Sequence, residues 1–131
     1  MGKATSPIFT HEGLIGMGQT SLAEAALNNP TNFVTVVTGD VAGTRVDLVR
    51  VVATVTTTAG MIRLFLWDGT NARLWKEISV TAITPSATVE AFSAEFVPTE
   101  PLWLPDETWQ LRASSENAEA INVLAFGGHF G

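Results

Sequence analysis

From residue 32 to the C-terminus, apolar side chains tend to recur at every second position, and turn signals close the runs after about 8–12 residues. A chain with this rhythm can bury one face of each short segment only by pairing strands, so the period excludes a helical core. Residues 33–38 are apolar and β-branched. In residues 45–56, Val46 and Leu48 share one parity, while Val49, Val51, Ala53 and Val55 share the other. A phase change inside a strand predicts a bulge or bend near residues 48–50, because the side-chain period is two. Thr57-Thr58-Ala59-Gly60 turns the chain. The next run places Ile62, Leu64 and Leu66 on one face and Arg63, Phe65 and Trp67 on the other. Asp68-Gly69 is a strong hairpin signal. The returning run sets Leu74, Ile78 and Val80 against Arg73, Trp75, Glu77 and Ser79. Residues 88–97 resume the alternation with Phe92, Ala94 and Phe96 inward. Prolines bracket Leu102-Trp103-Leu104, then Trp109, Leu111 and Ala113 alternate, and residues 121–126 form the last run. Seven or eight strands with no helix in the core predict an all-β, antiparallel β-sandwich, of which the jelly roll is one form.

Residues 1–30 differ. They hold four glycines, two prolines and no strand-like alternation. Ser21-Leu22-Ala23-Glu24 matches a capping box, good helix formers follow to Leu27, and Asn28-Asn29-Pro30 would stop a helix of about two turns. The stretch from Ile8 to Gly18 mixes apolar residues with glycine, unlike a solvated tail. The expected organisation is therefore an N-terminal arm over residues 1–30, with at most one short helix, and a sandwich domain over residues 31–131. The arm lies either over its own domain or across a neighbouring subunit.

A length of 131 residues fits one domain. Seven basic and thirteen acidic side chains give a net charge of 7 − 13 = −6, which argues against nucleic acid as a partner. The absence of cysteine excludes a disulfide scaffold, a Cys-ligated zinc and a thiol nucleophile. Charged residues make up only 15 % of the chain, against about 25 % in ordinary soluble domains. A membrane-spanning protein would explain that, but the charge-free stretches are rich in Thr and fall short of the roughly 20 apolar residues a span needs. No secretory signal is expected, and no membrane partner. Residues 13–39 contain a single charged side chain, Glu24, and residues 78–89 contain none. These stretches are where contact between subunits is expected.

No set of residues predicts catalysis. His11 and His129 stand at opposite ends of the sequence, and no Gly-x-Ser-x-Gly elbow or phosphate loop occurs. Glu90 and Glu95 have opposite parity, so they do not form a glycosidase pair on one face. The expectation is no enzyme, no cofactor and no metal, with a glycan hydrolase using Glu90, Glu95 or Glu107 as the remote alternative. The tryptophans are more informative. Trp67 and Trp75 flank the Asp68-Gly69 turn, on the parity of Phe65 and opposite the aliphatic face. They could fill a core, form a subunit interface or offer a stacking platform. The residues singled out as interface or ligand platform are Phe9, Leu14, Ile15, Phe65, Trp67, Trp75 and Trp103.

The runs Ala59-Gly60-Met61-Ile62-Arg63-Leu64-Phe65-Leu66-Trp67-Asp68-Gly69-Thr70, Arg73-Leu74-Trp75-Lys76-Glu77-Ile78 and Thr84-Pro85-Ser86-Ala87-Thr88-Val89 share a style with a known group. With Leu102-Trp103-Leu104-Pro105, Leu111-Arg112-Ala113-Ser114, Asn117-Ala118-Glu119 and the Gly127-Gly128-His129-Phe130 ending, residues 33–131 resemble small proteins encoded among the head and tail genes of tailed bacteriophages. The resemblance implies a virion structural protein, best matched by capsid decoration (cement) proteins. It further implies a homotrimer on the outer surface of the capsid, made in the host bacterial cytoplasm, with the major capsid protein as partner. The alternative within the same resemblance is a tail or fibre-associated module binding a host surface glycan through Trp67, Trp75 or Trp103. The group carries no motif that transfers as a site.

Overall fold

The computed structural model describes residues 10–130. Nine β-strands occur among them: β1 (Thr10–Thr20), β2 (Val34–Thr38), β3 (Thr44–Ala53), β4 (Gly60–Trp67), β5 (Ala72–Val80), β6 (Ser93–Phe96), β7 (Leu102–Leu104), β8 (Gln110–Ser115) and β9 (Ile121–Phe130). They form two antiparallel sheets. Sheet A has the order β1-β9-β3-β6, with β7 also pairing β3, and sheet B has the order β2-β8-β4-β5. The core lies between the sheets. It holds Val46, Val49, Val51, Val123 and Ala125 from sheet A, and Val36, Ile62, Leu64, Leu111 and Ala113 from sheet B. This is the all-β sandwich that the alternation predicts.

The expected phase change in the second run is a bulge. The β3–β9 register slips between Val46 and Leu48, so Asp47 is the extra residue. Val46 faces the core before the slip, and Val49, Val51 and Ala53 face it afterwards. The β4–β5 hairpin turns where Asp68-Gly69 signals it. Gly69 has a φ of 99°, which favours glycine, and Asp68 Oδ1 accepts from the amides of Thr70 (2.9 Å) and Asn71 (2.8 Å).

The first 30 residues add two features that their sequence does not mark. The first concerns residues 10–20, which show no alternation in sequence yet form β1, paired along β9 from Thr10↔Phe130 to Thr20↔Ile121. The strand lies so close to β2 that a Cβ on Gly16 would stand 2.4 Å from the Val36 carbonyl oxygen. Glycine is required there for the sheets to close together at this edge. The second concerns the short helix. No helix forms at residues 21–27, and the segment runs extended. Glu24 does bind backbone amides with its carboxylate, but those of Ala26 (3.2 Å), Thr31 (3.0 Å) and Asn32 (2.7 Å), downstream rather than back to Ser21. Tertiary pairing outweighs local helix propensity here.

That segment crosses sheet B. The Glu24 amide donates to Ser115 O on β8 (2.8 Å). The Asn29 amide donates to Ala72 O on β5 (2.9 Å), and Ala72 returns its own amide to Asn29 Oδ1 (2.7 Å). Isolated bridges pair Ala23 with Ser115 and Asn28 with Arg73. Between these anchors the chain passes from β8 over β4 to β5, on the side of sheet B away from the core.

Candidate interaction surfaces

The outer face of sheet B is closed by its own chain. Phe65 points away from the inter-sheet core, yet it is 0 % exposed. It lies beside Arg63, which is itself buried. Arg63 donates from Nε to Glu77 (3.0 Å), from Nη2 to Glu116 (2.7 Å) and from Nη1 to the Glu24 carbonyl of the crossing segment (3.2 Å). Burial opposes the charge on Arg63, but hydrogen bonds and charge from Glu116 and Glu77 outweigh it and raise its pKa above the ordinary value. The amide of Asn32, joined by those of Ala26 and Thr31 and by the Arg63 charge, holds the Glu24 carboxyl below its ordinary value. Farther along the face, the Arg112 guanidinium lies 4.0 Å from the Trp67 ring centroid and 4.1 Å from that of Phe33. Burial lowers its pKa. Such cation–π contacts fix an otherwise mobile side chain and join the end of the crossing segment to the sheet. Near the ends of that segment a cavity of about 130 Å³ is lined by Thr20, Leu22, Phe33 and Ser114, among others. The Ser114 hydroxyl is buried without a partner.

Sheet A treats its outer face differently. The registers place outward side chains in rows across the strands. One row runs Ile15, Phe126, Leu48, and the next runs Met17, Leu124, Arg50, Glu95. A third runs Gln19, Asn122, Val52, Ser93, and at the other end Gly13, Gly128, Arg45 and Trp103 align. Ile15 is 64 % exposed and Met17 is 70 % exposed. Leu48, Val52, Leu124 and Phe126 are partly exposed. Polar pairs surround this apolar centre: Arg50 with Glu95 (3.0 Å), Arg45 with Asp47 (2.9 Å), and Gln19 Nε2 donating to Asn122 Oδ1 (2.9 Å). No strand and no isolated bridge of the described residues crosses this face.

The residues singled out from sequence are thus dispersed. Phe9 lies outside the described residues. Leu14 turns inward from β1 and packs on the core, whereas Ile15 next to it points outward. Phe65 is sealed and offers nothing to a ligand. Trp67 stays on the outer face of sheet B, held against Arg112. Trp75 corrects its expected parity: the β4–β5 register slips between Leu64 and Phe65, and Trp75 packs against the core, edge-on to Phe96 at 5.2 Å. Trp103 is 54 % exposed, with one ring face stacked on Phe130 at 4.7 Å. Trp75 and Trp103 do meet, since both line an open groove of about 450 Å³ with Phe96, Pro98, Glu100 and Pro101. Of the carboxylates weighed for catalysis, Glu95 is ion-paired to Arg50, and Glu90 and Glu107 are exposed. His129 Nδ1 is hydrogen-bonded to Thr44 Oγ1 at 2.7 Å. Among the described residues, no group of three or more His, Asp or Glu side chains could hold a metal. Sequence reasoning missed Arg63, whose partners Glu24, Glu77 and Glu116 are far apart along the chain. It also missed Met17, which no alternation marked.

No family model matches this chain, and no curated protein matches it. Among solved structures it is similar to a pentameric capsid protein isolated from metagenomic phage sequences. The TM-score is 0.42 and the identity 13 %, over 88 % of this chain and 61 % of that one. This chain therefore matches less than two thirds of that protein's length, and a likeness of this size carries no functional weight.

Proposed function

We propose that this protein is a bacteriophage virion structural protein of the capsid decoration type, which stabilises the head by bridging adjacent capsid subunits. The observation that carries this reading is the contrast between the two outer faces. The chain covers one with its own segment and leaves the other as an apolar centre within a polar rim, the anatomy of a protein–protein contact. The sequence resemblance over residues 33–131 supplies the virion context. Strand order supports it as well. With β6 and β7 taken as one interrupted strand, the orders β1-β9-β3-β6 and β2-β8-β4-β5 are compatible with a jelly roll, an architecture used by viral capsid and lectin domains. Each copy can bind its shell weakly, because many copies on one lattice act together. The proposed role is structural and not catalytic. Copy number in purified virions tests it. The reading requires about one copy per capsid subunit, and a handful of copies per particle contradicts it.

The groove between Trp75 and Trp103 favours a second reading, a tail or fibre-associated module that stacks a host surface sugar on Trp103. Under that reading, Trp103→Ala abolishes adsorption while particles still assemble. Normal adsorption removes it.

A further inference from the structure

We infer that β1 pairs edge to edge with β1 of a second copy of this chain, in antiparallel register about Gly16, extending sheet A across a two-fold axis. This concerns the isolated protein and does not depend on the virion reading.

A sheet edge presents a row of backbone N–H and C=O groups that only another extended chain satisfies fully, and folded proteins normally guard such edges. Among the described residues, three of the four sheet edges are guarded. β2 is five residues long, and its register slips between Thr35 and Val37. β5 carries the slip at Trp75 together with Arg73, Lys76 and Glu77. The far edge of sheet A is split between β6, four residues including Glu95, and β7, three residues between prolines. β1 is the exception. It is eleven residues long, pairs only with β9 among the described residues, and is regular from Glu12 to Thr20. Residues 13–20 hold no charge and no proline, and they carry the two most exposed large apolar side chains of sheet A's strands, Ile15 and Met17.

The sequence of β1 selects its own copy as the occupant. For the outer face to continue across the junction, outward residues must oppose outward residues. Pairing about Gly16 meets that condition and sets Ile15 opposite Met17 twice, Gly13 opposite Gln19 twice, and Glu12 opposite Thr20 at each end. Ile15 and Met17 of both copies then form one cluster, continuous with Phe126 and Leu124 on each side. No like charges face each other. Nine residues of strand span about 30 Å, and across a sheet about 10 Å thick the contact covers on the order of 300 Å² per copy. A stable complex takes about 800 Å² per partner, so the pairing is weak and reversible. Having no ion pairs, it is not weakened by salt.

Sedimentation equilibrium of the full chain at roughly 1 to 100 μM tests this, with hydrogen exchange of the β1 amides measured over the same range. The expected result is a monomer–dimer equilibrium, not weakened by added salt, in which the β1 amides that point away from β9 gain protection as the dimer fills. Met17→Lys and Ile15→Lys should each weaken association at least about tenfold while thermal unfolding stays two-state. The double variant Gly13→Cys with Gln19→Cys fixes the register. Within one chain these positions lie about 20 Å apart, so a disulfide forms only between copies. A monomer throughout the range overturns the inference. So does a trimer in which the β1 amides that point away from β9 exchange freely, a dimer indifferent to both lysine variants, or a dimer in which the cysteine pair fails to cross-link. Protection, in a monomer, of the β1 amides that point away from β9 also overturns it.

Discussion

Both outer faces of the sandwich carry large apolar side chains, and the chain disposes of them in opposite ways. On sheet B, Phe65 lies beneath a crossing segment that Arg63, Glu24 and Asn29 fasten to three different strands. On sheet A, Ile15 and Met17 stand in rows with Phe126 and Leu124, and nothing from the described residues is fastened over them. The two faces do not differ in strand alternation. They differ in whether a loop crosses, and that decides whether an apolar residue supports the fold or remains available to another molecule. Substitutions of similar kind on the two faces should therefore have very different consequences for the monomer.

The largest effect is expected at Phe65. Phe65→Ala removes a ring with no solvent exposure, which costs about 3–5 kcal/mol in urea unfolding. A loss below about 1 kcal/mol would mean that the crossing segment collapses without cost and that the face is not truly closed. Arg63→Met comes next. It leaves Glu77, Glu116 and the Glu24 carbonyl without their donor. Both carboxylates are partly exposed, so solvent recovers some of the loss, and the expected cost is about 2–3 kcal/mol.

Acid should loosen the same face first. The Glu24 carboxyl has its pKa lowered on folding, so its contribution is present above its unfolded value near 4.5 and is lost as pH falls through the folded value. Amides at residues 26–32 should therefore gain exchange rate below about pH 4.5 before those of β3 and β9 do. Glu24→Gln should make these amides exchange faster at neutral pH and flatten the change on acidification. Equal acid sensitivity in the two sheets would break the comparison. The smallest effect is expected on sheet A. Met17→Ser and Ile15→Ser should change monomer stability by no more than about 0.5 kcal/mol, measured at protein concentrations low enough that association does not contribute.

These contrasts show why parts of the fold were legible in the sequence and others were not. The β4–β5 turn was legible because Asp68-Gly69 combines a local side-chain cap with a residue free to take positive φ. The β3 bulge was legible because burial on one face turns a one-residue slip into a change of parity, visible at Val46 and Val49. β1 was hidden because close packing on β2 demands glycine at residue 16, on the inward side. With glycine at the inward positions 16 and 18, and Ile15 and Met17 outward, β1 inverts the usual pattern beyond Leu14. Residues 21–27 misled because their helix propensity and capping box are local signals, whereas the partners that decide the segment, Ser115 and Ala72, are distant in sequence. The same distance hid the Arg63 cluster. Of the surface, Trp103 and Ile15 could be named from the sequence, but the rows that surround them depend on strand order, which alternation alone does not specify.

The most direct test of the central contrast is a reconstruction of the intact particle at a resolution that traces strands. The account predicts the sandwich on the shell's outer surface, with Leu48, Leu124 and Phe126 against a neighbouring subunit and residues 21–33 facing solvent. A particle in which the crossing segment of sheet B is seated on the shell, with the outer face of sheet A left bare, would contradict it.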